Sequence, residues 1–112
     1  MKRRSFLGAL LAAALPSMAA AAKATVITVY KTPTCGCCHE WVAHLQKHGF
    51  EVVAHDVPDT TPYRNKFGVP GELASCHTGM VDGYALEGHV PAAEIRRLLA
   101  EKPKARGLSV PG

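Results

Sequence analysis

TVITVYKTPTCGCCHEW, residues 25–41, changes its period halfway along. Thr25–Tyr30 is short and β-branched, which predicts a strand. Cys38, Trp41, Val42 and Leu45 then recur at helical spacing, and Gly49 stands where a helix closes on a C′ residue. A strand running into a helix with three cysteines at the junction sets the frame for everything downstream.

Phe50–Val57 reads as a second strand, apolar on much of both faces as a central parallel strand is. Thr61-Pro62 opens a short helix that ends at Gly68, with proline in its first turn. Two runs, Leu73–Val81 and Tyr84–Val90, flank Asp82-Gly83, a strong signal for a two-residue hairpin. Pro91 starts a last helix with Ala92, Ile95, Leu98 and Leu99 on one face, and Pro103 stops it. The predicted order is β-α-β-α-β-β-α: a thioredoxin-like α/β domain with a central mixed four-stranded sheet flanked by helices.

Upstream, residues 1–22 read as an export signal. Lys2, Arg3 and Arg4 form a basic start, Phe6–Leu15 is apolar, Pro16 breaks it, and Ala19–Ala22 supplies small residues for cleavage before Lys23. Arg3-Arg4-Ser5-Phe6-Leu7 is similar to the twin-arginine motif, whose transporter moves folded proteins. The expected organisation is a leader over 1–22 and one domain over 23–112, exported to the periplasm with no membrane attachment after cleavage.

The 112 residues carry a formal charge of +4. Without the leader, ten Lys and Arg face nine Asp and Glu, a net of +1. The basicity thus belongs to the leader, and with only 6% aromatic residues a nucleic-acid partner is not expected. At 47% hydrophobic and 20% charged, the chain is neither disordered nor collagen-like.

Cys35, Cys37 and Cys38 lie within four positions, and Cys76 follows far downstream, directly before His77. Cysteines that staple a small exported domain are spread to close long loops, and these are not. Four cysteines allow three pairings. A Cys37–Cys38 bond is a strained vicinal ring, and Cys35–Cys38 is a C-x-x-C redox link. Either leaves two thiols over. The free N–H groups and positive dipole end of a helix start stabilise thiolates. Several thiolates converging at one point select Cu(I) or Zn(II) over hard cations.

If Asp82-Gly83 is a two-residue turn, Val81 pairs with Tyr84, Met80 with Ala85, Thr78 with Glu87 and Cys76 with His89. Cys76, Met80 and His89 then share a face, with His77 and Gly88 on the other. This register makes His89 a nearer ligand or proton donor to Cys76 than His77 is. A bulge at Gly79 or Gly88 would exchange the two histidines.

Thr34-Cys35-Gly36-Cys37-Cys38 with Trp41, Val69-Pro70, Ser75-Cys76-His77-Thr78, Asp82-Gly83-Tyr84 and Glu87-Gly88-His89-Val90-Pro91 resemble the motifs of the CopG-type periplasmic copper-resistance proteins. The resemblance spans residues 24–112. It implies a thioredoxin-like fold and copper, as one or more Cu(I) ions, held by Cys35, Cys37, Cys38 and Cys76. His77 and His89 match motif positions and are second-tier ligands. It also implies a role in periplasmic copper tolerance, interconverting copper oxidation states with a redox or copper-handling partner. Members of that family commonly continue beyond Val110-Pro111-Gly112 into a Met-Pro-Gly tail, so any thioether ligand from such a tail is absent here or was trimmed.

Other residues carry blander readings. His39 is a solvated residue at a helix start, His44 and His48 lie on an exposed helix face, and His55 is a strand-end polar residue. Met80 is core filler. Val69-Pro70 invites comparison with the cis-proline facing the C-x-x-C of thioredoxin-like folds, although a trans bond is the general rule. Arg96, Arg97, Lys102 and Lys104 complement the dipole at the end of the last helix.

Three functions fit these residues. In the first, a copper-binding protein couples thiols to copper: two thiolates give two electrons to two Cu(II), forming one disulfide and two Cu(I). The second is an enzyme, a thiol–disulfide oxidoreductase with Cys35 attacking and Cys38 resolving. The third is a closed structural zinc site.

Overall fold

A computed structural model describes residues 24–110. The leader read over residues 1–22 lies outside the described residues. Five strands and three helices follow in the order β1 (Val26–Lys31), α1 (Gly36–Lys47), β2 (Glu51–Asp56), α2 (Thr61–Lys66), β3 (His77–Val81), β4 (Tyr84–Gly88), α3 (Ala92–Glu101) and β5 (Gly107–Val110), with a 3₁₀ turn at Gly71–Leu73 before β3. They form one mixed sheet in the order β2-β1-β3-β4-β5. β1 runs parallel to β2 and antiparallel to β3, β3 is antiparallel to β4, and β4 is parallel to β5.

The sheet has five strands, not the expected four. Gly107-Leu108-Ser109-Val110 is too short and too mixed to announce itself, yet the edge of β4 needs a partner for its backbone groups, and Ala85–Gly88 pairs with it. A second correction concerns β2. It is the other edge of the sheet, not a central strand, and of its six residues only Val52 is even half-buried.

The core lies between one face of the sheet and helices α1 and α3. Ile27 and Val29 of β1, Val81 of β3 and Leu86 of β4 meet Trp41 and Leu45 of α1 and Ala92, Ile95 and Leu98 of α3. Helix α1 closes through His48 to Gly49, whose φ of +90° suits the left-handed position read there. The hairpin forms in the predicted register from Val81↔Tyr84 to Thr78↔Glu87. Asp82 and Gly83 have φ of 48° and 85°, the left-handed pair that a type I′ turn requires.

Three of the basic residues near the end of α3 also have specific partners. The Arg96 guanidinium sits 4.2 Å over the Phe50 ring and donates to the His48 carbonyl. Arg97 pairs with Glu101, and Lys102 with Asp82.

Candidate metal centre

Cys35 is the N-cap of α1. Its backbone is extended, and its Sγ accepts the Cys38 amide at 3.2 Å, satisfying one of the free donors of the first turn. Cys35 and Cys38 are disulfide-bonded, with Cα atoms 5.3 Å apart. Cys37 and Cys76 are free thiols. The Cys37 Sγ lies 3.5 Å from that of Cys35 and 3.6 Å from that of Cys76. All four sulfurs fall within 4.8 Å of one another. The expected gathering of the helix-tip trio and the hairpin thiol is therefore present.

Exposure grades the four. Cys38 is wholly buried, Cys35 and Cys76 are half-buried, and Cys37 is exposed. Burial pushes the Cys76 thiol up, and the neighbouring Cys37 thiol pushes it further.

The side chains of Cys76, His77 and His89 form a second group whose ligand atoms also lie within 4.8 Å of one another. Here the expected roles of the histidines change. His77 is not turned away from Cys76: its Nδ1 is 3.6 Å from the Cys76 Sγ and 3.3 Å from the Cys38 Sγ. Strand alternation does not extend to Cys76 and His89, because the β3–β4 ladder ends at Thr78↔Glu87. Gly88, at φ +86°, then turns the chain, and a Cβ there would collide with the Val110 carbonyl of β5. Cys76 and His89 lie beyond the strand ends, where alternation no longer sets direction. Met80 is on the sheet face of Thr78, opposite His77.

His77 is held on three sides. Its Nε2 is 2.6 Å from the Gly88 carbonyl, which can only accept, so the ring proton sits on Nε2 and Nδ1 presents its lone pair to the sulfurs. Trp41 stacks on the ring at 4.2 Å and is itself fixed by Nε1 donating to the Val90 carbonyl at 2.8 Å. Burial lowers the His77 pKa to about 4, against a weaker opposing effect of the Gly88 bond. The imidazole is neutral at pH 7.

A buried polar network supports the other side of Cys76. Glu87 is 1% exposed. Its Oε2 accepts from Arg64 Nε at 2.9 Å, from the Ser75 amide at 2.7 Å and from Ser75 Oγ at 3.0 Å, while Oε1 accepts from Thr78 Oγ1 at 2.6 Å. Arg64 also donates to Thr60 Oγ1 and to the Ser75 carbonyl. The residue before Cys76 is thus gripped at its amide, hydroxyl and carbonyl. Sequence reasoning gave Arg64 and Glu87 no role. The available signal was an acid amid the apolar residues of β4, placed opposite a threonine and in need of a partner.

The remaining histidines separate cleanly. His44 is not a free surface residue: its Nε2 accepts the Ala92 amide at 3.0 Å and caps α3. His48 is exposed, His39 donates to the Pro33 carbonyl at the surface, and His55 stacks on Tyr30 at 5.1 Å. Beside Cys37 an open groove of about 300 Å³ is lined by Glu40, Trp41, His44, His89 and Pro91.

A mixed α/β domain that gathers four sulfurs and two imidazoles at a helix start defines a cysteine-centred protein with the donors to hold a soft metal ion. Comparison with solved structures agrees. "Copper resistance protein copG- Form 2" matches at 42% identity with a TM-score of 0.76, covering 80% of this chain and 72% of that one. "Copper resistance protein copG- Form 1" matches at 42% identity and 0.75, covering 80% and 71%. The family model described as "Protein of unknown function, DUF411" matches residues 73–112. No match is found among curated protein sequences. The chain belongs to the CopG family of copper-resistance proteins.

Proposed function

We propose that this protein binds copper as cargo in periplasmic copper resistance, holding Cu(I) through Cys35, Cys37, Cys38 and Cys76 and coupling thiol oxidation to copper reduction. The observation that carries the reading is the placement of four sulfurs within 4.8 Å of one another. With the Cys35–Cys38 bond reduced, four thiolates at that density would favour Cu(I) over the hard cations. The β-α-β opening, hairpin and covering helix support a thioredoxin-like plan, which would set the C-x-x-C at a strand-to-helix junction.

The two cysteine pairs suit a division of labour. Reduced Cys35 and Cys38 supply two electrons to two Cu(II), giving one disulfide, two Cu(I) and two released protons. Cys37 and Cys76 remain as thiols, with the unprotonated Nδ1 of His77 and the His89 ring beside them as additional donors. These residues would retain the Cu(I) product after the disulfide has formed. Return to the dithiol needs a reducing partner, and the export signal read in residues 1–22 would place the exchange in the periplasm. Among the described residues, no helix is long and apolar enough to cross a membrane.

The deciding experiment is an anaerobic titration of the reduced domain with Cu(I) and with Zn(II), repeated on Cys37→Ser and Cys76→Ser. Copper binding through several thiolates should weaken in both variants. Unchanged Cu(I) affinity with intact disulfide exchange would instead assign the protein as a general oxidoreductase working through Cys35 and Cys38. Unfolding on chelation without redox turnover would assign a structural zinc site.

A further inference from the structure

We propose that the domain moves its disulfide internally, converting the Cys35–Cys38 bond into a Cys37–Cys76 bond by way of Cys35–Cys37. The observation behind it is a chain of sulfurs in contact. Cys35 is bonded to Cys38, Cys37 lies 3.5 Å from Cys35, and Cys76 lies 3.6 Å from Cys37. Thiol–disulfide exchange needs a thiolate beside an accessible disulfide sulfur, and each link of this chain supplies that arrangement.

Burial sets the direction of attack. Cys38 is wholly buried, and of the two bonded sulfurs Cys35 is the one in contact with a free thiol, Cys37 at 3.5 Å. In the first step the Cys37 thiolate attacks the Cys35 Sγ. The Cys35–Cys37 bond forms, the Cys35–Cys38 bond breaks, and Cys38 leaves with the electron pair and takes up a proton. In the second step the Cys76 thiolate attacks the Cys37 Sγ. The Cys37–Cys76 bond forms, the Cys35–Cys37 bond breaks, and Cys35 leaves with the electron pair. One disulfide and two thiols stand on each side, protons balance, and no outside oxidant or reductant is consumed.

The exchange carries oxidising equivalents between an interior site and the surface. Cys38 regains its thiol although no partner can touch it, and the disulfide passes to the exposed Cys37 at the edge of the groove lined by Glu40, Trp41, His44 and His89. It also accounts for all four cysteines without a metal. The exchange does not depend on the copper reading, since it runs in the metal-free protein.

The test uses metal-free protein carrying one disulfide per chain, incubated without oxygen, acid-quenched, blocked at its free thiols and cut with trypsin. Cleavage after Lys31, Lys47, Lys66 and Arg96 separates residues 32–47 from residues 67–96. A Cys35–Cys38 bond stays inside the first fragment, whereas a Cys37–Cys76 bond joins the two. The expected result is both species in the unaltered protein, with fragmentation locating the joining bond at Cys37. The joined species should be lost in Cys37→Ser and become dominant in Cys38→Ala. Finding only the internal bond in the unaltered protein would overturn the proposal. So would joined fragments that persist in Cys37→Ser, or a Cys38→Ala protein that stops at Cys35–Cys37.

Discussion

Glu87 Oε2 accepts the backbone amide of Ser75 at 2.7 Å, so a buried carboxylate on β4 fixes the residue that precedes Cys76. The same oxygen takes Arg64 Nε, and Arg64 in turn holds the Ser75 carbonyl. The position of the fourth thiol therefore depends on an ion pair that lies outside the cluster of sulfur and imidazole donors.

Removing one member of that pair should be costly, because the other is left as an uncompensated charge in the interior. Glu87→Ala is expected to destabilise the domain by about 3–5 kcal/mol, read as a fall in the urea midpoint at constant slope. Arg64→Met combined with Glu87→Leu should recover much of that loss, since an apolar pair leaves no charge unpaired. The double variant should still bind Cu(I) less tightly, because Ser75 loses its anchors and Cys76 its fixed position. Full recovery of Cu(I) affinity together with stability would show that the network does not position the thiol.

Helix α3 ends on Lys102 in the left-handed conformation, at φ 47°, and Pro103 follows. A side chain is strained there and glycine is not. Lys102→Gly is expected to raise stability by about 0.5–1 kcal/mol in thermal unfolding, net of a surface pair with Asp82 worth little. A lowered midpoint would mean that the Lys102–Asp82 contact outweighs the backbone strain.

Trp41 is the protein's one tryptophan, and it packs flat on His77 within the wall of the groove that contains Cys37. Its emission should report on the site directly. Addition of Cu(I) to the reduced domain should quench the fluorescence in proportion to occupancy, and Cys76→Ser should shift the titration to higher copper. Quenching that is identical in Cys76→Ser would place the copper away from the sulfur cluster.

What could be read from residues alone follows from how locally each feature is determined. Asp82-Gly83 announced its turn because both positions need φ above zero, and few residue pairs accept that. The cysteine cluster was legible because the strand-to-helix junction that gathers it is a local structure. The direction of His77 was not. It depends on where the β3–β4 ladder ends, and that is governed by Gly88 packing under Val110, a contact between strands distant in sequence. The edge position of β2 was hidden for a related reason. Val52 and Val53 are apolar, but which face receives a covering helix is decided by the whole sheet order.

His77 makes folding depend on pH in a direction its burial dictates. Its pKa is lowered to about 4 in the folded domain from an ordinary value near 6.5. Between those values the unfolded chain binds the proton and the folded one does not, so stability rises with pH across that window. The contribution is fully present above about pH 6.5 and is lost as pH falls through about 4, amounting to about 3 kcal/mol at most. Urea unfolding of the metal-free, oxidised domain between pH 4 and 7 should show this slope. His77→Phe keeps a ring against Trp41 and removes the titrating group, so it should flatten the profile, although it leaves the Gly88 carbonyl unpaired and lowers stability throughout. A profile in His77→Phe as steep as in the unaltered protein would assign the pH dependence to other groups.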